Sequence, residues 1–228
     1  MVPKMSLPVH PDLEKRFPGL QAIKGHIYGV KSEASGSELK RFSEEIFSEV
    51  RRKHTLASLK DTPILRAYRD FFWRIGIDPT KVRPAAEALI RRVLAGKEIP
   101  SINNIVDAYN LASVKTEIAL AAFDLDRLAG DPVMRQANAG EKFLGIGMNE
   151  PATLNGTEIV ISDAEKLIAI YPHRDAETSK VSTSTSNILL LACGVPGIET
   201  STLRAAGEEA LSYIEKFCGG ERKDIPRE

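Results

Sequence analysis

Five segments between residues 102 and 196 decide the fold. They are INNIVDAYNLASVK (residues 102–115), AAFDLDRLAGD (121–131), RQANAGEKFLGIG (135–147), TEIVISDAEKLIAIYPHRDAETSKV (157–181) and TSTSNILLLACGVP (183–196). The first has the apolar period of a helix, whereas the later ones are short, rich in β-branched residues and separated by glycines and turn residues. This stretch therefore marks a change from helices to strands.

Strands are predicted wherever short apolar segments lie between turn residues. Six of them follow Phe123: VMRQA (133–137), KFLGIGM (142–148), TEIVIS (157–162), KLIAIYP (166–172), KVSTSTS (180–186) and NILLLAC (187–193). An earlier strand is predicted in LQAIKGHIYGVKS, which begins at Leu20.

Helices are predicted from capping residues and from apolar residues at helical spacing. The predicted starts are Ser37 as an N-cap, Thr62 before Pro63, Pro84, and Asn103 or Ser101, with the last of these helices reaching about Leu120. A closing helix begins near Thr202 and stops at Gly219 and Gly220, before a tail, ERKDIPRE, that we expect to be frayed.

This order of elements predicts an α+β fold in which N-terminal helices pack on a mixed β-sheet core and a C-terminal helix closes the structure. With no internal repeat and no low-complexity linker, we expect a single domain over residues 1–228. Residues 1–100 are its mainly helical part, residues 101–200 its core, and residues 201–228 the closing helix and tail.

Charge is unevenly distributed although the net charge is zero. Residues 40–98 carry 14 Lys and Arg against 8 Asp and Glu, a balance of 14 − 8 = +6. A neutral chain does not coat nucleic acid by charge alone, so this excess indicates either solvated helix faces or a surface that faces phosphates.

No apolar run approaches the ~18 residues of a membrane span, and the N-terminus lacks the apolar core of a secretion signal. Cys193 and Cys218 have no metal-ligand spacing and are expected to be reduced thiols in a cytoplasmic protein. The sequence contains no phosphate-binding loop followed by lysine, no HExxH, no CxxC and no GxSxG motif, so neither a metal nor a cofactor is predicted.

The polar run from Tyr171 to Thr185 is the candidate working surface, because it follows an apolar strand whose end can present a site. Arg174 offers donors for a carboxylate or phosphate. Asp175 is suited to hold an amino group or a ribose hydroxyl, and His173 to move a proton near neutral pH.

Hydroxyl groups of the same run, on Thr178, Thr183 and Thr185, are suited to donate to a carbonyl oxygen or to orient water, and Glu177 belongs to the same cluster. We predict catalytic roles for His173, Arg174, Asp175 and Thr178. The alternative is a polar hairpin with an Arg174–Asp175 ion pair and solvated hydroxyls.

Two further groups have open roles. Asn110, beside Tyr109 in a helix, either braces the backbone or points into a pocket, since an amide buried without partners is costly. Asp124 and Asp126 lie on the same side of an extended piece, where they either hold a cation or serve as cap and turn residues.

In order and spacing, the segments INNIVDAYN, AFDLDRLAG, RQANAGEKF, LNGTEIVISDAEKLIAI and TSTSNILLLAC resemble the B3/B4 domain of the bacterial phenylalanyl-tRNA synthetase beta chain. The resemblance covers roughly residues 100–200, and the helices before it look like those of free-standing proteins built around this domain. It implies the B3/B4 fold and an association with binding tRNA and hydrolysing tRNA wrongly charged with tyrosine.

The chain departs from that family at the pocket. Ala121 stands where the family has its editing histidine, and Leu191 stands where it has a glutamate. Of a threonine–asparagine pair, Asn110 is kept but Tyr109 replaces the threonine, and the run PHRDAE (172–177) replaces a glycine-rich turn. The resemblance therefore implies a retained scaffold with a rebuilt pocket, and Tyr109, Asn110, Glu177, Thr183 and Thr185 are predicted to bind substrate.

Three hypotheses follow. In the first, the protein binds the aminoacyl end of a tRNA and acts in trans as an aminoacyl-tRNA deacylase. In the second, it is a non-catalytic module that binds tRNA, an amino acid or a synthetase partner. The third, a small-molecule hydrolase, ranks lowest. A complete aminoacyl-tRNA ligase is not expected, no membrane partner is predicted, and the oligomeric state stays open.

Overall fold

The computed structural model describes residues 5–222. Its helices are α1 (Pro11–Arg16), α2 (Ser37–Lys53), α3 (Pro63–Arg74), α4 (Ala85–Leu94), α5 (Asn104–Thr116) and α6 (Thr200–Cys218). Its strands are β1 (Gln21–Tyr28), β2 (Ala119–Asp124), β3 (Val133–Gln136), β4 (Lys142–Phe143), β5 (Ala152–Thr153), β6 (Ile159–Ser162), β7 (Leu167–Ile170), β8 (Arg174–Asp175), β9 (Asn187–Gly194) and β10 (Glu221–Arg222).

Strand β9 lies at the centre of the first sheet, which has the order β10-β1-β9-β2. It pairs with β1 from Asn187 to Gly194 and with β2 from Ile188 to Cys193. Seven of its eight residues are buried, because both faces of the sheet are covered. That two-sided burial explains why its sequence is a continuous apolar run and not an alternating one. Each buried leucine contributes about 1.5–3 kcal/mol relative to an exposed one.

The second sheet has the order β3-β6-β7-β8, and β4 pairs with β5 as a separate ribbon. Ile161 of β6 and Ile168 of β7 belong to the same apolar core as the leucines of β9, so the two sheets share one interior. Helices α5 and α6 pack against each other and against the first sheet.

The predicted α+β class is confirmed, but the mixed pairing is wrong: every ladder between these strands, within residues 5–222, is antiparallel. The predicted helix to Leu120 is also wrong. It ends at Thr116, because Glu117 has a left-handed φ of 64°, and the next residues form β2. Pairing with β9 determines the conformation of this apolar stretch, which is helix-like by composition.

The predicted strand KVSTSTS (180–186) instead contains a turn over residues 182–185. The amide of Ser182 donates to Thr185 Oγ1, and the amide of Thr185 donates to the Ser182 carbonyl. Hydroxyl side chains here replace ladder partners for the backbone. Strand KFLGIGM shortens to β4, α1 was not predicted, and Gly36 takes the capping position expected for Ser37.

Of the tail expected to be frayed, Glu221–Arg222 pair with β1, and residues 223–228 lie outside the described residues.

Helices α3 and α4 are joined through a carboxylate with no exposed surface, that of Glu87. Arg69 Nη1 donates to both of its oxygens, at 3.0 and 3.1 Å, and Arg91 Nε donates to Oε1 at 2.7 Å. Two guanidinium groups thus neutralise one buried charge and fix the angle between the helices.

We expect Glu87→Gln to lower the free energy of unfolding by about 3 kcal/mol. The substitution removes the negative charge that neutralises Arg69 and Arg91, and so leaves two guanidinium groups beside an apolar core without a counter-charge. Urea unfolding followed by circular dichroism measures it. Glu49→Gln, an exposed position on α2, is the control and should change it by less than about 0.5 kcal/mol. Equal stability of the two variants would contradict the assigned role of Glu87.

Candidate functional site

A small hollow of about 80 Å³ lies between the two sheets, beside the edge strand β2. We call it the inter-sheet hollow. Its floor is apolar and its far wall is the turn after β7. It is lined by Ala85, Ala119, Leu120, Ala121, Phe123, Ile161, Ala169, Ile170, Tyr171, Pro172, His173, Arg174, Asp175 and Cys193. Three of the four predicted catalytic residues therefore share one concave surface.

Asp175 is the chemically distinctive group of the hollow. Strand β8 pairs with β7 through Ala169 and Ile170, which places this carboxyl against the apolar interior. Within residues 5–222 its carboxylate has no hydrogen-bond or ion-pair partner. Burial disfavours the charged form and raises the pKa of Asp175 to about 7.

Two other side chains lie close enough to feel the charge of this carboxylate. Burial raises the pKa of the Tyr109 phenol, with Asp175 and then Asp107 adding to the shift. The Cys193 thiol behaves in the same way, since burial raises its pKa first and Asp175 second. Asp175 thus lies near α5 on one side and near the end of β9 on the other.

His173 is a neutral imidazole in this setting. Burial first, and the neighbouring Arg174 second, lower its pKa to about 4. Its Nδ1 atom is buried and lacks a hydrogen-bond partner in the part of the chain that the structure describes. This lowered pKa does not fit the expectation that His173 moves a proton near neutral pH, whereas the raised pKa of Asp175 lies in that range.

Arg174 is exposed at the rim of the hollow. Its Nη1 atom donates to the Ile146 carbonyl at 3.4 Å, and its stem lies over Gly145, where an added Cβ would be 2.5 Å from Arg174 Cδ. No ion pair with Asp175 forms among the described residues, because neighbours on a strand point to opposite faces. The alternative of a hairpin with an Arg174–Asp175 pair is not what the structure has.

The other predicted side chains of the polar run lie away from the hollow. Thr178 is exposed and lines a separate cleft of about 430 Å³, with Arg135 and Glu141. Glu177 pairs with Lys180, and Thr183 is exposed on the turn.

Thr185 has a structural contact: its buried hydroxyl donates to Asp124 Oδ2 at 2.7 Å and ties the turn to the end of β2. This contact corrects the prediction that Thr185 faces a substrate, because a hydroxyl that donates its proton to a buried carboxylate cannot donate it to a ligand.

Asn110 does not converge with Arg174 and Asp175. It lines a third cleft, of about 550 Å³, between α2, α5 and residues 96–101. Tyr109, its neighbour in the sequence, is the one near Asp175. Successive residues of a helix are about 100° apart, so the two side chains point in different directions.

The two positions at which this chain differs from the family's histidine and glutamate lie side by side on adjacent strands. Ala121 on β2 is the registered partner of Leu191 on β9, and both are buried. Apolar side chains thus stand at the two positions where the family has a histidine and a glutamate, and of these two Ala121 lines the hollow. Cys193, two residues after Leu191, lines the floor of the hollow but was not among the predicted site residues. It could have been found from the sequence, because residues two apart on a strand lie on the same face of the sheet.

Asp124 and Asp126 act as cap and turn residues. Asp124 accepts from the Asp126 amide at 3.2 Å and contacts Arg127, while both Asp126 oxygens accept from Asn187 Nδ2 at 3.0 Å.

No group of three metal-ligating side chains occurs among residues 5–222. Over that range, moreover, no helix has the length and apolar character that crossing a membrane requires. Cys193 and Cys218 are both free and buried.

We expect Asp175→Asn to stabilise the fold, and by more as the pH rises. The folded-state pKa is raised, so the parent loses stability between about pH 4, where the unfolded carboxyl ionises, and about pH 7. The variant avoids this loss, which is up to about 4 kcal/mol above pH 7. Urea unfolding at pH 4 and pH 8 measures it. A difference between parent and variant that is the same at both pH values would contradict the burial of this carboxyl.

Comparison with known proteins places these features in a family. The model of the B3/4 domain matches residues 67–219, more than half of the chain. The beta subunit of phenylalanine–tRNA ligase from Geobacter metallireducens is 38% identical over 110 residues, which are 48% of this chain and 14% of the relative. That of Methylococcus capsulatus is 38% identical over 144 residues, 53% of this chain and 18% of the relative.

Among solved structures, an N-terminal fragment of the phenylalanyl-tRNA synthetase beta subunit from Pyrococcus horikoshii superposes with a TM-score of 0.51. The match covers 97% of this chain and 53% of the fragment at 13% identity, so it shows a shared fold. The chain spans less than a fifth of the length of the curated relatives it matches. On the strength of the matched range, the chain belongs to the B3/4 domain family, a module related to aminoacyl-tRNA synthetases.

Proposed function

We propose that this chain binds the aminoacyl end of a tRNA at the inter-sheet hollow and hydrolyses the ester bond of a mischarged tRNA. The observation that carries the proposal is the half-buried carboxyl of Asp175 at the hollow, which has no hydrogen-bond or ion-pair partner among residues 5–222 and whose pKa is raised to about 7. A general base works best when its pKa lies near the working pH, since it is then both available and basic enough. Perturbed carboxyls of this kind concentrate at functional sites.

The reaction divides among three residues. Asp175 as carboxylate takes a proton from a water molecule whose oxygen attacks the ester carbonyl carbon. The bond from that carbon to the ribose oxygen then breaks, and the proton passes to the leaving hydroxyl, which gives free amino acid and tRNA. Neutral His173, with an unpartnered Nδ1, orients the water, and Arg174 at the rim holds the terminal phosphate or the developing oxyanion.

The size of the hollow argues for a substrate other than the family's tyrosyl ester. A cavity of about 150 Å³ accommodates a benzene ring. The hollow has about 80 Å³, so a phenol ring does not fit in this conformation. The apolar floor, to which Ala121 belongs, and the buried Leu191 beside it in the sheet also lack the family's polar groups.

A second candidate, the non-catalytic binding module, is favoured by that same floor. There Asp175 serves as a carboxylate that pairs with the ammonium group of an aminoacyl moiety or a free amino acid, and a bound cation restores its charged form. The tRNA, the amino acid or a synthetase partner is then retained without turnover.

The test is a deacylation panel over mischarged tRNAs with the parent and Asp175→Asn. We expect hydrolysis of at least one aminoacyl-tRNA, and a loss of about 10²- to 10⁴-fold in the variant, because the asparagine cannot accept the proton. Thr183→Ala, an exposed position outside the hollow, is the control and should retain the parent rate. If the parent binds tRNA but hydrolyses none of the mischarged tRNAs, the catalytic proposal is contradicted and the non-catalytic binding module is favoured.

The rate of deacylation should rise with pH and level off above about pH 7, because only the ionised form of Asp175 accepts a proton. Single-turnover rates between pH 5.5 and pH 8.5 test this, after correction for the spontaneous hydrolysis of the ester. A profile with no inflection near pH 7 would remove Asp175 from the role of base.

A further inference from the structure

Trp73 is an exposed aromatic residue that the fold itself does not need. It is 56% exposed, while Phe71 and Phe72 before it are 1% and 0% exposed. In the loop that follows, Val82 is 42% exposed. A tryptophan left largely in water gains little from folding, and a single exposed apolar residue is common on protein surfaces, so the meaning of Trp73 depends on the groups around it.

The position of Trp73 connects it to the inter-sheet hollow. The ring of Phe72, next to it in α3, meets the His173 ring edge-on with 6.2 Å between centroids. The loop after Trp73 leads to Ala85, the first residue of α4, which is exposed and lines the hollow. Trp73 is thus one residue away from a ring that contacts His173 of the hollow, on the helix α3 that Glu87 joins to α4.

The surroundings of Trp73 are basic. Residues 63–94 carry seven Lys and Arg against three Asp and Glu, a balance of 7 − 3 = +4. Glu87 is buried with its two arginines, and Asp78 Oδ1 accepts from the Thr80 amide and hydroxyl of its own loop. Asp70, the third acid, lies 4.0 Å from Arg66 Nε. The other exposed cations of residues 63–94 are Arg74, whose guanidinium lies over the Phe17 ring, and Lys81, Arg83 and Arg92. A membrane or an acidic protein would also meet these cations, but the flat indole among them favours a partner with unpaired bases.

We infer that this α3–α4 corner, formed by Trp73, Arg74, Lys81 and Arg83, is a docking surface for the unpaired strand at the end of an RNA. A base stacks on the Trp73 indole while the cations contact the adjoining phosphates. The inference rests on the proposed function, in which the hollow takes the aminoacyl end of the same strand. It adds the surface that positions the nucleotides before that end.

The chain offers a direct probe, because Trp73 is its only tryptophan. Its fluorescence is followed as an uncharged single-stranded RNA oligonucleotide is added, and binding is measured in parallel from the anisotropy of the labelled RNA. We expect the emission to be quenched with the same midpoint as the anisotropy change. A blunt RNA duplex of equal length should bind more weakly and leave the emission nearly unchanged.

Trp73→Ala should weaken binding of the single strand by roughly 5- to 150-fold, the range found when one stacking contact is removed. Trp73→Phe, which keeps a flat ring, should retain most of the affinity. Ile102→Ala, at an isolated position 65% exposed before α5, is the matched control and should bind as the parent does. Lys81→Ala with Arg83→Ala should reduce the slope of log affinity against log salt by roughly 1.4.

Unchanged emission at saturating RNA, or parent affinity in Trp73→Ala, would overturn the inference. Equal binding of duplex and single strand would do so too, since it would indicate charge alone. This outcome is separable from the proposed function: Asp175→Asn should bind and quench like the parent while losing hydrolysis. Quenching without hydrolysis of any mischarged tRNA would leave the docking surface in place and remove only the catalytic role.

Discussion

Two tyrosine hydroxyls at the end of β9 hold the parts of this structure together. Tyr68, from α3, donates to the carbonyl of Cys193 and accepts from the amide of Ala119 at 3.1 Å. Tyr171, after β7, donates to the carbonyl of Gly194 at 2.5 Å. Both phenols are fully buried, and such groups are costly to leave unpaired, so these bonds dictate where α3 and the second sheet meet the first.

The hollow follows from this arrangement. Because Tyr171 is anchored to the end of β9, the residues after it cross the open edge of β2, with His173 and Asp175 turned toward an apolar floor. Ala121 on that floor, and Leu191 paired with it in the sheet, supply neither a counter-charge nor a donor. The unusual protonation of Asp175 is therefore a property of the neighbouring side chains, and a family scaffold with different floor residues would give the same carboxyl a different pKa.

Much of the framework was predictable because it depends on local patterns. The run of apolar residues in β9, the Thr62–Pro63 start of α3 and the glycines after α6 each carry a signal that acts over a few residues. The end of α5 had no such signal, since Ile118 to Phe123 suit a buried helix as well as a strand, and only the pairing with β9 decides.

The site was predicted only in part, because its chemistry depends on burial. The polar run contained Asp175 and His173, yet the sequence assigned the near-neutral titration to the histidine, whose ordinary pKa suggested it. Thr185 was predicted to contact a ligand because its partner, Asp124, is 61 residues earlier in the sequence and is brought to it only by the fold. Tyr109 and Asn110 were treated as a pair, although helix geometry alone separates them by about 100°.

The protonated thiol of Cys193 makes the hollow resistant to oxidation and alkylation. Peroxides and alkylating agents attack the thiolate, and here burial, reinforced by Asp175, keeps the sulfur protonated. The carboxyl that we propose as a general base thus also helps burial to keep the neighbouring thiol in its unreactive form.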